Sequence, residues 1–264
     1  MVKIGLVLSG GAFKGLAHVG VLKVLKENNI KVDAVAGCSM GAIIGAFYAA
    51  GRTPQEIEDF VVKQNFRSVL NFSIKSFSKL GIQNLSKMKK LIEDFTGVKR
   101  FSELKIPLYI NATNITKEKE VVFSRGELFR AIRASISIPG IFAPVKIKND
   151  YYVDGGVLNN TPVSILPNNI KKYIISDAVS YEKLDTKKGM GIKDIVEKSI
   201  LLMMHKITET NLKNIPKKDY VLVKPKLSKE YTLPKEAKFR QIIKEGEIAT
   251  WRKILEIKRK IHGN

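Results

Sequence analysis

A serine framed by glycines, Gly37-Cys38-Ser39-Met40-Gly41, stands where a run of β-forming residues gives way to a helix-forming run. Residues 32–36 (Val-Asp-Ala-Val-Ala) read as a short buried strand, and residues 40–50, rich in small and apolar side chains, read as a helix. A turn this tight strains the serine backbone, and glycines at 37 and 41 let neighbouring backbone approach without Cβ clashes. The hydroxyl then emerges at the C-terminal edge of a sheet, facing the N-terminus of the next helix. That arrangement presents a nucleophile, although Gly-x-Ser-x-Gly also occurs as a plain structural turn. Cys38 is the chain's single cysteine, so no intramolecular disulfide forms; it reads as a packing residue beside Ser39.

A second glycine-rich turn lies upstream. Residues 3–8 read as a buried strand, followed by Ser9-Gly10-Gly11-Ala12-Phe13-Lys14-Gly15 and a helical pattern through Leu16, Val19, Leu22, Val24 and Leu25. Such a loop can aim backbone N–H groups at an oxyanion, as acyl transfer requires. Phosphate binding is the competing reading, and it fails on the letters: Leu16-Ala17 follows Gly15 where a P-loop needs Lys-Ser/Thr, and Ala12 replaces a dinucleotide-loop glycine. A third element, Asp154-Gly155-Gly156, follows the β-prone Tyr151-Tyr152-Val153. By itself it reads as a turn capped by its own aspartate. Beside a serine nucleophile it also offers a proton acceptor.

Together these elements resemble the patatin-like phospholipases. The likeness extends through Gly15-Leu16-Ala17-His18-Val19-Gly20-Val21-Leu22 and through Ala134-Ser135-Ile136-Ser137-Ile138-Pro139-Gly140-Ile141-Phe142-Ala143-Pro144-Val145. Four blocks therefore follow the family's order, from residue 3 to about 163. The resemblance implies a three-layer α/β fold with a mostly parallel central sheet flanked by helices. It also implies a Ser39–Asp154 dyad at the strand C-terminal edge that hydrolyses lipid acyl esters through an acyl-enzyme, without metal or cofactor. Gly10, Gly11 and Ala12, with Met40, become the oxyanion-hole donors, and Gly15, Gly37, Gly41, Gly155 and Gly156 support the motifs. Lys14 occupies a basic position of the family's loop, as a solvated lysine or as an attraction for head-group phosphate. The family's glycine triplet reads Gly10-Gly11-Ala12 here. The alanine N–H preserves the hole provided residue 12 need not adopt positive φ; otherwise the hole is weakened.

Two other readings stand beside this one. A Ser-His-Asp triad could recruit His205 or His262, both of which follow Asp154, but the first lies in an apolar helix and the second two residues from the C-terminus. His18 reads as a brace behind the loop. The second rival is a non-catalytic lipid-binding module on the same fold, for which Ala12 is the hint.

The chain has 264 residues and no Pro/Gly/Ser-rich linker, low-complexity stretch or repeat, so residues 1–264 read as one domain with its motifs in about 3–180. No 18-residue apolar run and no secretory signal occur, which points to a cytoplasmic protein touching membranes peripherally. Lys+Arg number 46 against 25 Asp+Glu, a net charge of +21 that suits an anionic lipid surface as well as a lysine-rich background. Nucleic acid is not expected, because no recognition motif accompanies the charge. Nothing in the sequence sets an oligomeric state.

The coarse order reads strand 3–8, helix 15–28, strand 32–37, helices 40–51 and 54–64, a mixed segment 65–100, strands 106–113 and 119–123 and helix 126–135. A loop 136–150, strands 151–153 and 171–178, helix 190–213, strand 219–223 and helix 235–260 follow. Alternation of this kind predicts a sheet covered on both faces, with chemistry at the strand C-termini. Residues 60–92 hold Lys63, Arg67, Lys75, Lys79, Lys87, Lys89 and Lys90 and no acid, interleaved with phenylalanines. This reads as a solvated helical face over core phenylalanines, or as a flap that leans on a membrane. Residues 235–260 read as one basic amphipathic helix docked on the domain, with membrane anchoring as the alternative.

Overall fold

The computed structural model describes residues 2–63, 79–179, 191–228, 231 and 235–262. In chain order the elements are β1 (Lys3–Leu8), a 3₁₀ turn (Ala12–Leu16), α1 (Ala17–Glu27), β2 (Ala34–Gly37), α2 (Met40–Ala49), α3 (Pro54–Lys63) and α4 (Lys79–Thr96). Then come β3 (Leu108–Asn114), β4 (Lys119–Phe123), α5 (Leu128–Ser135), β5 (Val145–Ile147), β6 (Asp150–Asp154), β7 (Ile170–Ser176), α6 (Ile192–Lys213), β8 (Tyr220–Val223), α7 (Phe239–Trp251) and α8 (Ile254–His262).

The strands form a sheet of order β5-β6-β3-β2-β1-β7-β8, with β4 also on β3. The ladders β3-β2-β1-β7-β8 are parallel, whereas β4, β5 and β6 join antiparallel at one side. The central strands β1 and β2 are almost wholly buried, because both their faces are covered. Leu6 and Leu8 pack with α1, α2 and α7 on one face, while Val7, Ala36 and Ile175 meet Val163, Leu166 and Leu212 on the other. The result is the expected three-layer α/β arrangement, and β1, β2 and β7 end side by side at one sheet edge.

Two helices cross at backbone distance beneath that edge. A Cβ at Gly20 of α1 would collide with the Ile243 carbonyl, and one at Gly246 of α7 with the Ala17 carbonyl. Lys23 fastens the crossing from the side, 2.8 Å from Glu58 and 2.6 Å from Glu247. Phe239 stacks on Phe13 with ring centroids 5.5 Å apart.

Three expectations are corrected. The stretch 136–150 is not all loop: β5 pairs with β6 across a turn in which Lys148 takes φ 56 without a glycine to signal it. The C-terminal segment is two helices rather than one, parted at Arg252–Lys253. Phe239, Ile242, Ile243, Ile254 and Ile257 are buried in the core, while Trp251 and Leu255 face solvent. The helix expected from residue 15 is preceded by a 3₁₀ turn from Ala12.

Of the phenylalanine-rich segment, residues 64–78 lie outside the described residues, and with them the proposed flap. Its flanks are docked helices: Phe60 of α3 stacks on Phe95 at 3.9 Å, and Met88 and Ile92 of α4 are buried.

Candidate active site

Ser39 caps α2 with φ 52 and ψ −121, a conformation that costs an L-residue on the order of 1–3 kcal/mol. The surroundings hold it there. Its N–H donates to Ser135 Oγ at 2.8 Å, and its carbonyl accepts from Ala42 at 2.9 Å. Gly41 lies against the Leu8 carbonyl at the end of β1, where a Cβ would collide. A Cβ at Gly37 would come 2.5 Å from the Gly41 oxygen. Both elbow glycines are thus demanded by close packing of β1, β2 and α2.

The glycine loop rests on the ends of β1 and β7. Ser9 N–H donates to Ser176 O at 3.0 Å, and Ser9 Oγ accepts from Ala178 N–H at 2.8 Å. His18 is fully buried behind it, with Nε2 2.9 Å from Ser9 O and Nδ1 2.8 Å from Ser176 Oγ. The Ser9 carbonyl can only accept, so Nε2 carries the proton and Nδ1 accepts from the serine hydroxyl. Burial lowers the His18 pKa to about 4 and keeps the ring neutral. It braces the loop, as its position suggested.

One assignment fails here. Gly10 does not offer its N–H to an oxyanion, because that N–H donates to the Asn160 carbonyl at 3.1 Å. The N–H groups of Gly11, Ala12 and Met40 have no acceptor among the described residues. Ala12 takes φ 47, so the position does require positive φ and the alanine is strained there. Lys14 is not solvated either: it is only 7% exposed within the 3₁₀ turn. Gly15 gives space to Met40, whose Cβ would lie 2.6 Å from an added methyl.

Asp154 ends β6, where its N–H donates to Ser137 O at 2.9 Å. Its Oδ1 accepts from Gly156 N–H at 2.8 Å, with the Cys38 thiol 3.6 Å away. Burial raises the carboxyl to about 6, opposed by the neighbouring Ser39 hydroxyl, by Gly156 and by Cys38. Oδ2 has no hydrogen bond of standard geometry among the described residues. The serine and the carboxyl are therefore adjacent, with an oxygen of the carboxyl left to accept; such contacts tighten when substrate binds. Burial, and then Asp154, push the Cys38 thiol well up, so it stays protonated.

Gly155 sits 2.6 Å, measured to an added Cβ, from Asn111 Oδ1, and Gly156 sits 2.7 Å from Met204 Cε by the same measure. Asn160, fully buried, has neither amide atom hydrogen-bonded among the described residues, and its Oδ1 lies against Gly10 and Gly156. It stands between the loop and the acid, a placement the sequence did not disclose. Ser135, Asn160 and the Cys38–Asp154 contact were all missed; each depends on residues that are distant in sequence. Arg133 stiffens the neighbouring loop by donating to Ser137 Oγ and to Ala143 O.

The two late histidines lie on other elements. His205 of α6 places Nε2 3.2 Å from Glu209, and His262 ends α8, which packs on β7 and β8.

Fold and site together define an α/β protein that carries a serine on a strained strand-to-helix turn, beside a buried aspartate and a glycine loop. The profile of the Patatin-like phospholipase family matches residues 6–167. The chain belongs to this family. An uncharacterized NTE family protein of Mycobacterium tuberculosis is 36% identical over 162 residues, which cover 61% of this chain and 45% of that protein. Lysophospholipase NTE1 of Cryptococcus neoformans is 33% identical over 193 residues, 68% of this chain and 11% of that protein. The chain thus matches less than half the length of either relative. VipD of Legionella pneumophila superposes with a TM-score of 0.55 at 16% identity, over 96% of this chain and 66% of that one. ExoU of Pseudomonas aeruginosa, in its complex with SpcU, gives 0.50 at 18% identity, over 96% and 51%. These two likenesses are of fold. Among the described residues no helix is long and apolar enough to cross a membrane.

Proposed function

We propose that the protein is a serine acyl hydrolase that cleaves lipid carboxylic esters, of the phospholipid or lysophospholipid kind, with Ser39 as nucleophile and Asp154 as base. The observation that carries this reading is the Ser39 hydroxyl next to the buried Asp154 carboxyl, whose acidity it raises against the effect of burial. Ser39 Oγ attacks the ester carbonyl carbon while its proton passes to Asp154. The N–H groups of Gly11, Ala12 and Met40 receive the oxyanion, and each such donor is worth roughly 2.7–4 kcal/mol. Collapse expels the alcohol, which takes the proton from Asp154. Water then attacks the acyl-enzyme, giving its proton to Asp154, and Ser39 recovers a proton as the fatty acid leaves. Asn160, whose amide has no hydrogen bond among the described residues, holds that water. No metal or cofactor enters these steps.

Labelling by a fluorophosphonate, together with hydrolysis of a panel of lipid esters, tests the assignment. Wild type acquires one adduct and turns over at least one ester, whereas Ser39→Ala does neither. An adduct that persists in Ser39→Ala overturns the nucleophile, and a wild type that takes no label favours a non-catalytic lipid-binding module.

A further inference from the structure

α6 has two distinct faces. One is docked beside the candidate site: Met204 touches Gly156, Thr208 Oγ1 lies 3.2 Å from Thr161 Oγ1, Asn211 donates to Asn159 Oδ1 at 3.0 Å, and Leu212 is buried. The opposite face carries Ile192, Ile195, Val196, Ile200, Leu202 and Met203, between 47% and 83% exposed. At about 100° per residue these six fall within an arc of ~160°, facing away from the docked side chains. An exposed apolar face of this width marks a contact with a second apolar environment. Val157 and Leu158, just beyond Gly156, are exposed as well.

We infer that this outer face of α6 lies on an anionic lipid surface and holds the mouth of the candidate site against it. Charge decides between occupants. Two copies of a chain with net charge +21 repel one another, whereas the head groups of an anionic leaflet attract it. Lys213, Lys217 and Lys218 are exposed at the helix's C-terminal end, and Lys206 projects from the helix with a side chain 73% exposed. No described helix can span a bilayer, so the contact lies in the plane of the interface. The surface differs from both segments that the sequence offered for membrane contact.

Part of this inference, the benefit to catalysis, rests on the hydrolase reading; lipid binding itself does not. The test therefore uses Ser39→Ala protein, which leaves the vesicles intact, in co-sedimentation with phosphatidylglycerol-containing or pure phosphatidylcholine vesicles. The protein binds the anionic vesicles, and added salt weakens the binding. Combining Ile195→Glu, Leu202→Glu and Met203→Glu raises the apparent Kd roughly tenfold or more while far-UV circular dichroism stays unchanged. In parallel, a Met203→Cys protein carries one environment-sensitive label, since Cys38 is buried. Its emission shifts to the blue on anionic vesicles. Undiminished binding by the triple variant, or an unshifted label, overturns the inference. So does a wild-type dimer that the triple variant dissolves, which would assign the face to a second copy. Failure of the hydrolase reading shows separately, as soluble p-nitrophenyl esters that wild type leaves uncleaved.

Discussion

Replacing Asp154 by asparagine separates what the carboxylate does for chemistry from what it costs the fold. Burial raises its pKa from 3.8 to about 6, a shift worth roughly 3 kcal/mol between the two protonation states. Because the folded value lies above the unfolded one, the protonated acid favours folding, and that contribution is complete below pH 3.8 and lost as pH rises through about 6. Asparagine cannot ionise. Urea unfolding at pH 4 and pH 8 therefore shows Asp154→Asn gaining roughly 2.5 kcal/mol on wild type between the two, whatever constant offset the amide introduces. Activity moves the other way, with soluble-ester turnover lost in the variant. In wild type the ionised fraction of a group at about 6 climbs roughly tenfold from pH 5 to pH 7, and kcat/KM climbs with it. A carboxyl at 3.8 would change by less than about a tenth over that range. A kcat/KM flat between pH 5 and 7, or a variant whose relative stability ignores pH, refutes the buried-base account.

Two more outcomes follow from the loop. Ala12→Gly relieves the strain at φ 47 and raises stability by about 0.5–1 kcal/mol, after the entropy of the extra glycine is counted, as a thermal melt will show. His18→Leu strands the Ser9 carbonyl and the Ser176 hydroxyl and costs on the order of 3 kcal/mol, yet the activity that remains keeps its acid limb near 6, since Asp154 sets it. With its pKa lowered to about 4, His18 itself contributes stability above pH 6.5 that disappears as pH falls through 4, opposite in sign to Asp154.

Much of the scaffold was legible because its signals are local. The apolar runs of β1, β2 and β3 and the small residues of α2 announce buried strands and a close-packed helix, and the glycine spacings mark both turns at the strand ends. What escaped depends on partners far along the chain. The Gly10 N–H is taken by a carbonyl 150 positions away, and nothing near Gly10 reports this. The β5–β6 turn and the break between α7 and α8 lack Gly or Pro: Lys148 tolerates its left-handed backbone inside a hairpin, and Arg252–Lys253 interrupts a helical pattern that packing, not propensity, divides. Lys14 reads as a surface residue until the 3₁₀ turn folds over it. The outer face of α6 was hidden differently, since an apolar helix looks the same in sequence whether its side chains are covered or bare.

The stacking of Phe239 on Phe13 ties the chain's last third to the residue next to Ala12. The family profile ends at residue 167, so the floor under its signature loop is laid by a stretch bearing none of that signature. A fragment trimmed to the recognisable part would keep every diagnostic letter and lose the footing of its glycine loop. A shortened chain that keeps this loop supported has to carry residues 239–251 along.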